Sequence, residues 1–225
     1  MTAAFVSCLM PTANRRAFVP GAIAHFLRQN YPSRELVIVD DGSEPVADLV
    51  PVDERIRYER LPERTVLGKK RNIACECARG DLLVNWDDDD WFASWRLRYQ
   101  VEQLESSRSE VSGLDRLWYY DPARNQAWRY IYRTGPRWVA GGTCCFTRDF
   151  WQRNRFPELA IGEDTEFISR SRSERIQVLE NADFYVAFIH PGNTSKKLLR
   201  DPQYVAARVD DVRRLMGPPE EAVKP

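Results

Sequence analysis

The chain contains 225 residues, of which 43% are hydrophobic, and its 33 basic side chains balance 33 acidic ones. This length suffices for one domain with a full core, and the zero formal net charge argues against a protein that holds nucleic acid by broad electrostatic attraction. No apolar run is long enough to span a bilayer and the N-terminus lacks a signal-peptide pattern. We therefore expect a cytoplasmic protein, with peripheral contact at the inner face of the membrane left open.

Five cysteines and two histidines are present, and no two cysteines have the C-x-x-C spacing of a metal-binding pair. Cys144 and Cys145 are adjacent and poorly placed to bridge each other. This composition favours reduced, mostly buried thiols over a zinc site.

Strand and helix patterns alternate through the first half of the chain, which is typical of a parallel sheet with crossover helices. Residues 4–10 form an apolar run, and we expect Pro11 to end that strand. The other elements predicted in this half are a helix at 16–29, strands at 35–39 and 56–60, a helix at 67–78 and a strand at 82–86. The fold class predicted is α/β, with a mixed, mainly parallel sheet and helices on both faces.

The second half is less regular. Its predicted elements are a helix at 95–104, a strand pair at 116–120 and 126–133, partial strand at 138–146, a helix at 163–172, a late strand at 185–190 and a terminal helix at 205–216. No linker divides the chain, so we expect a single domain.

Three predicted strands end in polar residues, namely Pro11-Thr12, Asp40-Asp41 and the run of four aspartates at 87–90. Because the ends of parallel strands line one edge of a sheet, these clusters are expected to converge there. Four adjacent carboxylates repel one another unless a cation neutralises them, and oxygen ligands select Mg²⁺ or Mn²⁺. The alternative is a solvated acidic loop, which the apolar and aromatic flanks disfavour.

Several segments in this order resemble glycosyltransferase family 2, whose nucleotide-diphospho-sugar fold is the Rossmann-like GT-A fold. The matching segments are 11–15, 29–43, 68–74, 78–81 and the aspartates 87–90, which occupy the D-x-D-D position. The resemblance covers nearly the whole chain. It implies a single domain over 1–225, with a nucleotide-binding half at 1–92, an acceptor and catalytic half at 93–200, and a C-terminal helix and tail at 201–225.

The resemblance also implies a nucleotide-sugar site. The residues expected to bind the donor are Pro11, Thr12, Asn14, Arg15, Asp40, Asp41, Gly68, Arg71, Asp87, Asp88, Gly141 and Gly142. One of the aspartates 40 and 41 is expected to accept a hydrogen bond from the base, most often uracil, although the pair could instead make a turn and cap a helix.

Basic residues open the helix predicted at 67–78, where a helix N-terminus and a guanidinium suit a diphosphate. Arg71 is the best candidate for that contact, whereas Lys69 and Lys70 fit a solvated face equally well. The glycines at 141 and 142 would let the backbone approach the donor and acceptor, with a β-bulge as the alternative.

For the metal, the resemblance implies Asp89 as one ligand, with Asp88 near the ribose and with Asp87 and Asp90 orienting the loop through bonds to neighbouring groups. His190 follows an apolar strand, and many GT-A enzymes place a late histidine on the metal. A nitrogen ligand would favour Mn²⁺ modestly over Mg²⁺. A purely structural histidine is the alternative.

The pair Glu163-Asp164 resembles the E-D pair of the family. It implies that Asp164 is the general base that removes the proton of the acceptor hydroxyl, while Glu163 orients the acceptor or the loop. Ordinary acidic residues at a helix N-terminus are the alternative.

The middle of the chain is rich in aromatic residues interleaved with arginines. These are Trp118, Tyr119, Tyr120, Trp128, Tyr130, Tyr132 and Trp138, with Arg116, Arg124, Arg129, Arg133 and Arg137. Aromatic faces stack on sugars and arginine pairs with acidic groups, so this region suits a glycan or lipid-linked glycan acceptor. Packing of a hairpin against the sheet explains the same residues without a ligand.

The resemblance implies an inverting, metal-dependent glycosyltransferase that moves a sugar from a nucleotide-diphosphate donor, most often a UDP-sugar, to an acceptor hydroxyl in polysaccharide biosynthesis. A nucleotidyltransferase acting on a sugar phosphate is one alternative, but the first loop (11–15) has no glycine. A non-catalytic nucleotide-sugar or glycan-binding module is another. The residues do not identify the sugar, the acceptor, the pathway or the oligomeric state.

Overall fold

Two β-sheets lie side by side in the computed structural model, which describes residues 3–217. The strands of these residues are β1 (Val6–Thr12), β2 (Arg34–Asp40), β3 (Ile56–Arg60), β4 (Leu82–Asn85), β5 (Trp91–Phe92), β6 (Val111–Gly113), β7 (Arg116–Asp121), β8 (Gln126–Ile131), β9 (Cys145–Thr147), β10 (Ile176–Val178), β11 (Tyr185–Phe188) and β12 (Tyr204–Ala207). The helices are α1 (Val19–Leu27), α2 (Leu67–Cys77), α3 (Arg96–Ser107), α4 (Arg148–Arg153), α5 (Glu163–Ser169) and α6 (Val209–Met216).

The first sheet has seven strands in the order β10-β6-β9-β4-β1-β2-β3. All of its neighbours are parallel except β9, which runs antiparallel to β4 and β6. Strands β1 and β2 are buried along their whole length because apolar residues cover both of their faces. Their register places Thr12 beside Asp40, so the two strands end at the same edge.

Helices cover both faces of this sheet, as predicted. On one face, the buried side of α1 packs with α3 against β1, and Ile23, Phe26 and Leu97 belong to this core. On the other face, α2, α4 and α5 form a second core around Leu9 and Leu83. The expected α/β class with a mixed, mainly parallel sheet is confirmed.

Pro11 does not end the first strand, which continues to Thr12. The carbonyl of Leu9 faces β4, where it accepts the amide of Trp86, and alternate residues of a strand bond to the same side. Pro11 therefore also faces the β4 side, but the pairing with β4 ends at Leu9. Its missing amide N–H leaves no ladder bond unmade.

The second sheet has five strands in the order β12-β8-β7-β11-β5. Its hairpin of β7 and β8 is the strand pair predicted at 116–133, and Asn125 in the turn adopts a φ of 52°. The prediction of a helix at 205–216 is wrong at its start, because residues 204–207 form β12 and pair with β8. Tyr204 and Val205 have the aromatic and β-branched side chains that suit an exposed strand edge. Residues 218–225 of the expected tail lie outside the described residues.

The short elements β5, β6, β10 and α4 were not predicted, because two to six residues give too little periodicity. The predicted helix at 16–29 is shorter in the structure, since α1 begins at Val19 with Pro20 in its first turn. Among residues 3–217, no helix is both long and apolar enough to cross a bilayer.

His25 on α1 provides a test of the packing between α1 and the second sheet. Its ring lies edge-on to Trp91 and Phe92, and its Nδ1 lies 2.6 Å from Nη2 of Arg28. Burial, with a smaller effect of the Arg28 charge, lowers the pKa of His25 to about 4. The unfolded chain therefore binds a proton on this side chain between about pH 6.5 and pH 4 while the folded protein does not.

The free energy of unfolding should decrease as the pH decreases through this window. In His25→Gln this decrease should be smaller by about 2 kcal/mol. Urea unfolding of wild type and His25→Gln at pH 7 and pH 4.5 measures the difference. Because the buried carboxylates are common to both proteins, the comparison isolates His25. Equal losses of unfolding free energy in the two proteins would contradict the prediction.

Candidate active site

A cleft of about 990 Å³ opens at the carboxyl ends of β1 and β4. Most of the residues singled out from the sequence line it. They are Pro11, Thr12, Asn14, Arg15, Arg71, Asp87, Asp88, Asp89, Gly141, Gly142, Glu163, Asp164 and His190. The expected convergence is therefore present for the ends of β1 and β4, whereas Asp40 and Asp41 at the end of β2, and Gly68, do not line the cleft.

The four consecutive aspartates point to different partners. Asp87 Oδ1 accepts a hydrogen bond from Arg71 Nη2 at 3.2 Å. Asp88 accepts from Thr12 Oγ1 at 2.5 Å and from Arg15 Nη1 at 2.8 Å. The donor to Asp87 lies on α2, whereas the donors to Asp88 lie at the end of β1 and in the loop that follows it.

Asp89 Oδ2 pairs with Arg15 and lies 3.0 Å from His190 Nε2 and 3.4 Å from Asn193 Nδ2. Asp90 lines the cleft together with Tyr185 and Phe188, and it accepts from the hydroxyl of Tyr185 and from the amide of Phe188 at 3.1 Å. The expectation that Asp90 orients the loop through neighbouring groups fits these contacts.

Burial changes the ionisation of this aspartate run. It raises the pKa of Asp88 to about 6, against the opposing effect of the nearby Arg15 charge. Burial, together with the charges of Asp89 and Asp87, raises the pKa of Asp90 well above its usual range. Arg15 and Arg71 form ion pairs with Asp87, Asp88 and Asp89, so the protein itself balances part of the charge of the run. The raised pKa values mean that the ionised forms of Asp88 and Asp90 are disfavoured, and neutralisation of the run by a dication stays a prediction.

The aspartates at the end of β2 organise the neighbouring loops. Asp40 is fully buried and accepts from the amides of Gly42 and Val46 and from the hydroxyl of Tyr58 at 2.8–3.0 Å. These contacts are those of the turn that the sequence left open as an alternative. A direct bond from either aspartate to a base stays a prediction.

Asp41 accepts from the amide of Thr65 at 2.8 Å and pairs with Lys70. Lys70 is 5% exposed, and its ammonium also donates to the carbonyl of Thr12 at 3.0 Å. The side chain of Lys70 thus ties the ends of β1 and β2 to α2. Its role was missed in the sequence because neighbouring Lys69 is equally basic, and only burial distinguishes them.

Arg71 connects the two acidic clusters of the site. It is 3% exposed, and its Nε donates to Glu163 Oε1 at 3.0 Å while Nη2 reaches Asp87. Burial raises the pKa of Glu163, although the Arg71 charge opposes this effect. The ion pairs with Asp87 and Glu163 hold Arg71 between the end of β4 and α5. Nη1 of Arg71 has no hydrogen-bond partner among the described residues.

Asp164 lies at the start of α5, on the side of the cleft opposite the aspartate run. Its Oδ1 accepts the amide of Thr165 at 2.7 Å. A Cβ on Gly141 would lie 1.8 Å from Asp164 Oδ2, and one on Gly142 would lie 2.7 Å from Asp87 Oδ2. Only a turn without side chains fits between the two carboxylates, so both glycines are required by close approach.

Gly68 has a packing role instead. A Cβ at this position would lie 1.8 Å from the carbonyl of Pro157, so α2 lies directly on the segment before α5. This contact helps to set the position of Arg71 relative to Glu163. A contact of Gly68 with the donor stays a prediction.

Asp89 and His190 are the two residues expected to bind a metal. Asp89 and His190 present Oδ2 and Nε2 to the same point of the cleft, and both side chains are mostly buried. Within residues 3–217, no group of three or more His, Cys, Asp or Glu side chains is arranged to hold an ion. The pair fits a cation that takes its other ligands from a bound substrate or water.

Six aromatic residues of the second half line the cleft, namely Tyr119, Tyr130, Trp138, Tyr185, Phe188 and Tyr204. None of the five interleaved arginines lines it. Besides His190, the basic residues of the second half that line the cleft are Lys196 and Lys197 on the loop after β11, and Lys197 Nζ lies 5.5 Å from the ring centre of Tyr119. Sequence reasoning missed these lysines because they follow no regular element.

The chain is similar to characterised and uncharacterised sugar transferases. WcaA of Escherichia coli K12, whose name assigns it provisionally to colanic acid biosynthesis, is 36% identical over 97 residues, which are 41% of this chain and 35% of that protein. The first curated relatives are matched over only 35–42% of their own length.

Solved structures show the same fold. S. aureus TarS 1–349 in complex with UDP-GlcNAc matches with a TM-score of 0.69 at 20% identity, over 84% of this chain and 60% of that one. The mannosyltransferase PcManGT from Pyrobaculum calidifontis, in complex with GDP-Man and Mn²⁺, matches with a TM-score of 0.65 at 18% identity, over 84% and 57% of the two chains. The fold is therefore GT-A. A sequence model of Glycosyl transferase family 2 matches residues 7–164, and the chain belongs to this family.

Proposed function

We propose that this protein transfers a sugar from a nucleoside-diphosphate donor, in the first place a UDP-sugar, to an acceptor hydroxyl with inversion at the anomeric carbon. The observation that carries the proposal is the meeting of Asp164 and the aspartate run across Gly141 and Gly142. A base and a diphosphate site on either side of a side-chain-free turn suit one in-line displacement. The donors in the similar structures, UDP-GlcNAc and GDP-Man, agree with this class of substrate.

In this reaction, the acceptor oxygen forms a bond to the anomeric carbon while the bond from that carbon to the diphosphate breaks. Asp164 accepts the proton of the acceptor hydroxyl. Its Oδ1 is held by the amide of Thr165, and Oδ2 faces the glycine turn. Glu163 is tied to Arg71 and therefore fixes the start of α5. The carboxylates thus have different tasks because only one is held by a guanidinium.

The donor would lie along the first loop and the aspartate run. Thr12 and Arg15 hold Asp88 in place for the ribose, and Asn14 closes this part of the cleft by accepting from the amide of Glu44 at 3.1 Å. Arg15 and Arg71 line the cleft beside the aspartate run and are the guanidiniums that we propose for the diphosphate. Asp40 and Asp41 support this wall through the loops that they bind.

Asp89 and His190 would hold Mn²⁺ or Mg²⁺, which neutralises charge on the departing nucleoside diphosphate. A glycan or lipid-linked glycan is the acceptor class that we propose, because six aromatic side chains of the second half line the same cleft as Asp164. Polysaccharide synthesis at the cytoplasmic face of the membrane is the setting in which such an acceptor is met.

Replacing Asp164 with asparagine should lower turnover about 10³-fold and leave binding of UDP with Mn²⁺ nearly unchanged, because the variant keeps the shape but loses the base. UDP release from a panel of UDP-sugars, with thermal shift for binding, measures both effects. Glu166→Gln is a matched control on the same helix, since Glu166 is exposed and pairs with Arg170. Wild-type turnover in Asp164→Asn would exclude Asp164 as the base.

Replacing Gly141 with alanine should displace Asp164 and lower turnover about 100-fold, because the new methyl group would overlap its carboxylate. Gly21 in α1 has nothing within 4 Å of a Cβ position, so Gly21→Ala should keep full activity and gain up to about 1 kcal/mol of stability. Initial rates and urea unfolding of both variants test this pair. An active Gly141→Ala enzyme would show that the carboxylate needs no such space.

Replacing His190 with glutamine should raise the Mn²⁺ concentration needed for half-saturation about 10-fold or more, because one of two protein ligands is lost. Titration of Mn²⁺ in the presence of UDP, followed by water proton relaxation, measures binding without turnover. His25→Gln is the control, since His25 lies on α1 outside the cleft lining. Unchanged Mn²⁺ affinity in His190→Gln would remove this residue from the metal site.

A further inference from the structure

Arg96, the first residue of α3, is completely buried. Its guanidinium lies among four aromatic rings, with distances from Cζ to the ring centres of 4.6 Å for Phe92, 5.2 Å for Trp86, 5.7 Å for Phe184 and 5.9 Å for Tyr185. Such contacts with aromatic faces stabilise a cation, although less than water does. The environment is therefore an unusual one for a positive charge.

No carboxylate forms an ion pair with Arg96 among the described residues. Its donors go to neutral oxygens, and its Nη1 makes no hydrogen bond with any of them. Burial lowers the pKa of Arg96. A buried charge that is incompletely hydrogen-bonded costs folding free energy, and an apolar side chain of similar size is often as stable. Fold stability is thus a poor explanation for an arginine here.

The hydrogen bonds of Arg96 and its neighbours converge on the glycine turn. Three side chains each donate to one of three consecutive carbonyls. Asn85 Nδ2 donates to Gly141 O at 2.8 Å, Arg96 Nη2 to Gly142 O at 3.1 Å and Gln100 Nε2 to Thr143 O at 2.8 Å. The turn that separates Asp164 from Asp87 is therefore held from beneath along its whole length.

Arg96 also joins this turn to the strand that carries the aspartates. The same Nη2 donates to the carbonyl of Asn85, the last residue of β4, at 2.9 Å. Its Nε donates to Gln100 Oε1 at 2.8 Å, which orients the amide of Gln100 toward Thr143. Because one planar group bonds to both segments, it sets the distance between the end of β4 and the turn.

We propose that Arg96, with Gln100 and Asn85, is a positioning residue of the transferase that fixes the Gly141–Thr143 turn against the end of β4 and so sets the separation of Asp164 from the donor site. This proposal rests on the proposed function. It explains why a guanidinium, rather than an apolar group, lies at the centre of an aromatic cluster. The unit acts through backbone carbonyls and touches no substrate.

Arg34 provides a matched control. It is also buried, its Cζ lies 5.2 Å from the ring centre of Phe26, and it donates only to backbone carbonyls, those of Phe26, Leu27 and Tyr31, at 2.5–3.3 Å. It lies outside the residues that line the cleft. Arg34→Met removes the same chemistry from a part of the core that the proposal does not involve.

The first experiment measures hydrogen exchange of the backbone in residues 139–146 and needs no substrate. The amides of Thr143 and Cys144 bond within the turn, to Ala140 O and Gly141 O, so their exchange reports its opening. Arg96→Met should exchange at these amides about 10-fold faster or more than wild type at equal global stability, and Arg34→Met should not. Unchanged exchange in folded Arg96→Met would overturn the proposal.

The second experiment compares kinetics with the UDP-sugar panel. Arg96→Met should lower kcat about 50-fold or more while KM for the donor changes less than about 3-fold, because binding groups remain but the base is misplaced. Arg96→Lys should recover only part of kcat, since an ammonium cannot bond to both segments in one plane. Equal kcat values in Arg96→Met and Arg34→Met would also overturn the proposal.

A second variant of the same unit tests the proposal if Arg96→Met does not fold. Where Arg96→Met does not fold, Gln100→Leu replaces it, because this change removes the donor to Thr143 O and the acceptor for Arg96 Nε. Faster exchange of the turn in Gln100→Leu then supports the proposal and wild-type exchange overturns it. A wild-type protein that uses no nucleotide sugar would contradict the proposed function, while the exchange result would still decide whether Arg96 holds the turn.

Discussion

The structure depends on how four adjacent carboxylates are kept apart at the end of β4. Arg71 pairs with Asp87, Thr12 and Arg15 with Asp88, His190 and Arg15 with Asp89, and Tyr185 with Asp90. These donors come from three separate parts of the chain, which are residues 12–15, α2 and residues 185–190. The first loop, α2 and the second sheet therefore meet at the acidic run. Their donors are held there by hydrogen bonds and ion pairs to its carboxylates.

Arg71 and the glycine turn extend this arrangement to the start of α5. The guanidinium of Arg71 lies between Asp87 and Glu163, so the aspartate run and the pair Glu163-Asp164 share one buried cation. The turn at Gly141 and Gly142 fills the remaining gap with backbone alone. The ion pairs of Arg71 and the close packing of the glycine turn therefore both set the distance between Asp87 and Asp164. A change in either one would move both carboxylates.

Much of this could be predicted from the sequence, and the failures have physical causes. Strand β3 was predicted to the residue, and the central elements β1, β2, β4 and α2 to within a few residues, because their patterns are local and periodic. The position of Pro11 inside β1 and the pairing of β12 with β8 depend on residues far away in the sequence. A local sequence pattern therefore could not predict them. Arg96 has the sequence pattern of an ordinary polar helix residue, and only its burial in three dimensions distinguishes it.

The contact between Asp90 and Tyr185 has a consequence for engineering. Strand β5 directly follows Asp90 and pairs with β11, so the boundary drawn near residue 92 crosses a ladder of the second sheet. A chimera that joined residues 1–92 to the later part of a relative would have to supply a phenol at position 185, or else leave a buried acid with only the amide of Phe188 as donor. Exchange of whole halves between such enzymes is thus constrained by one hydrogen bond between Asp90 and β11, and recombination points within surface loops are better suited to altering donor or acceptor preference.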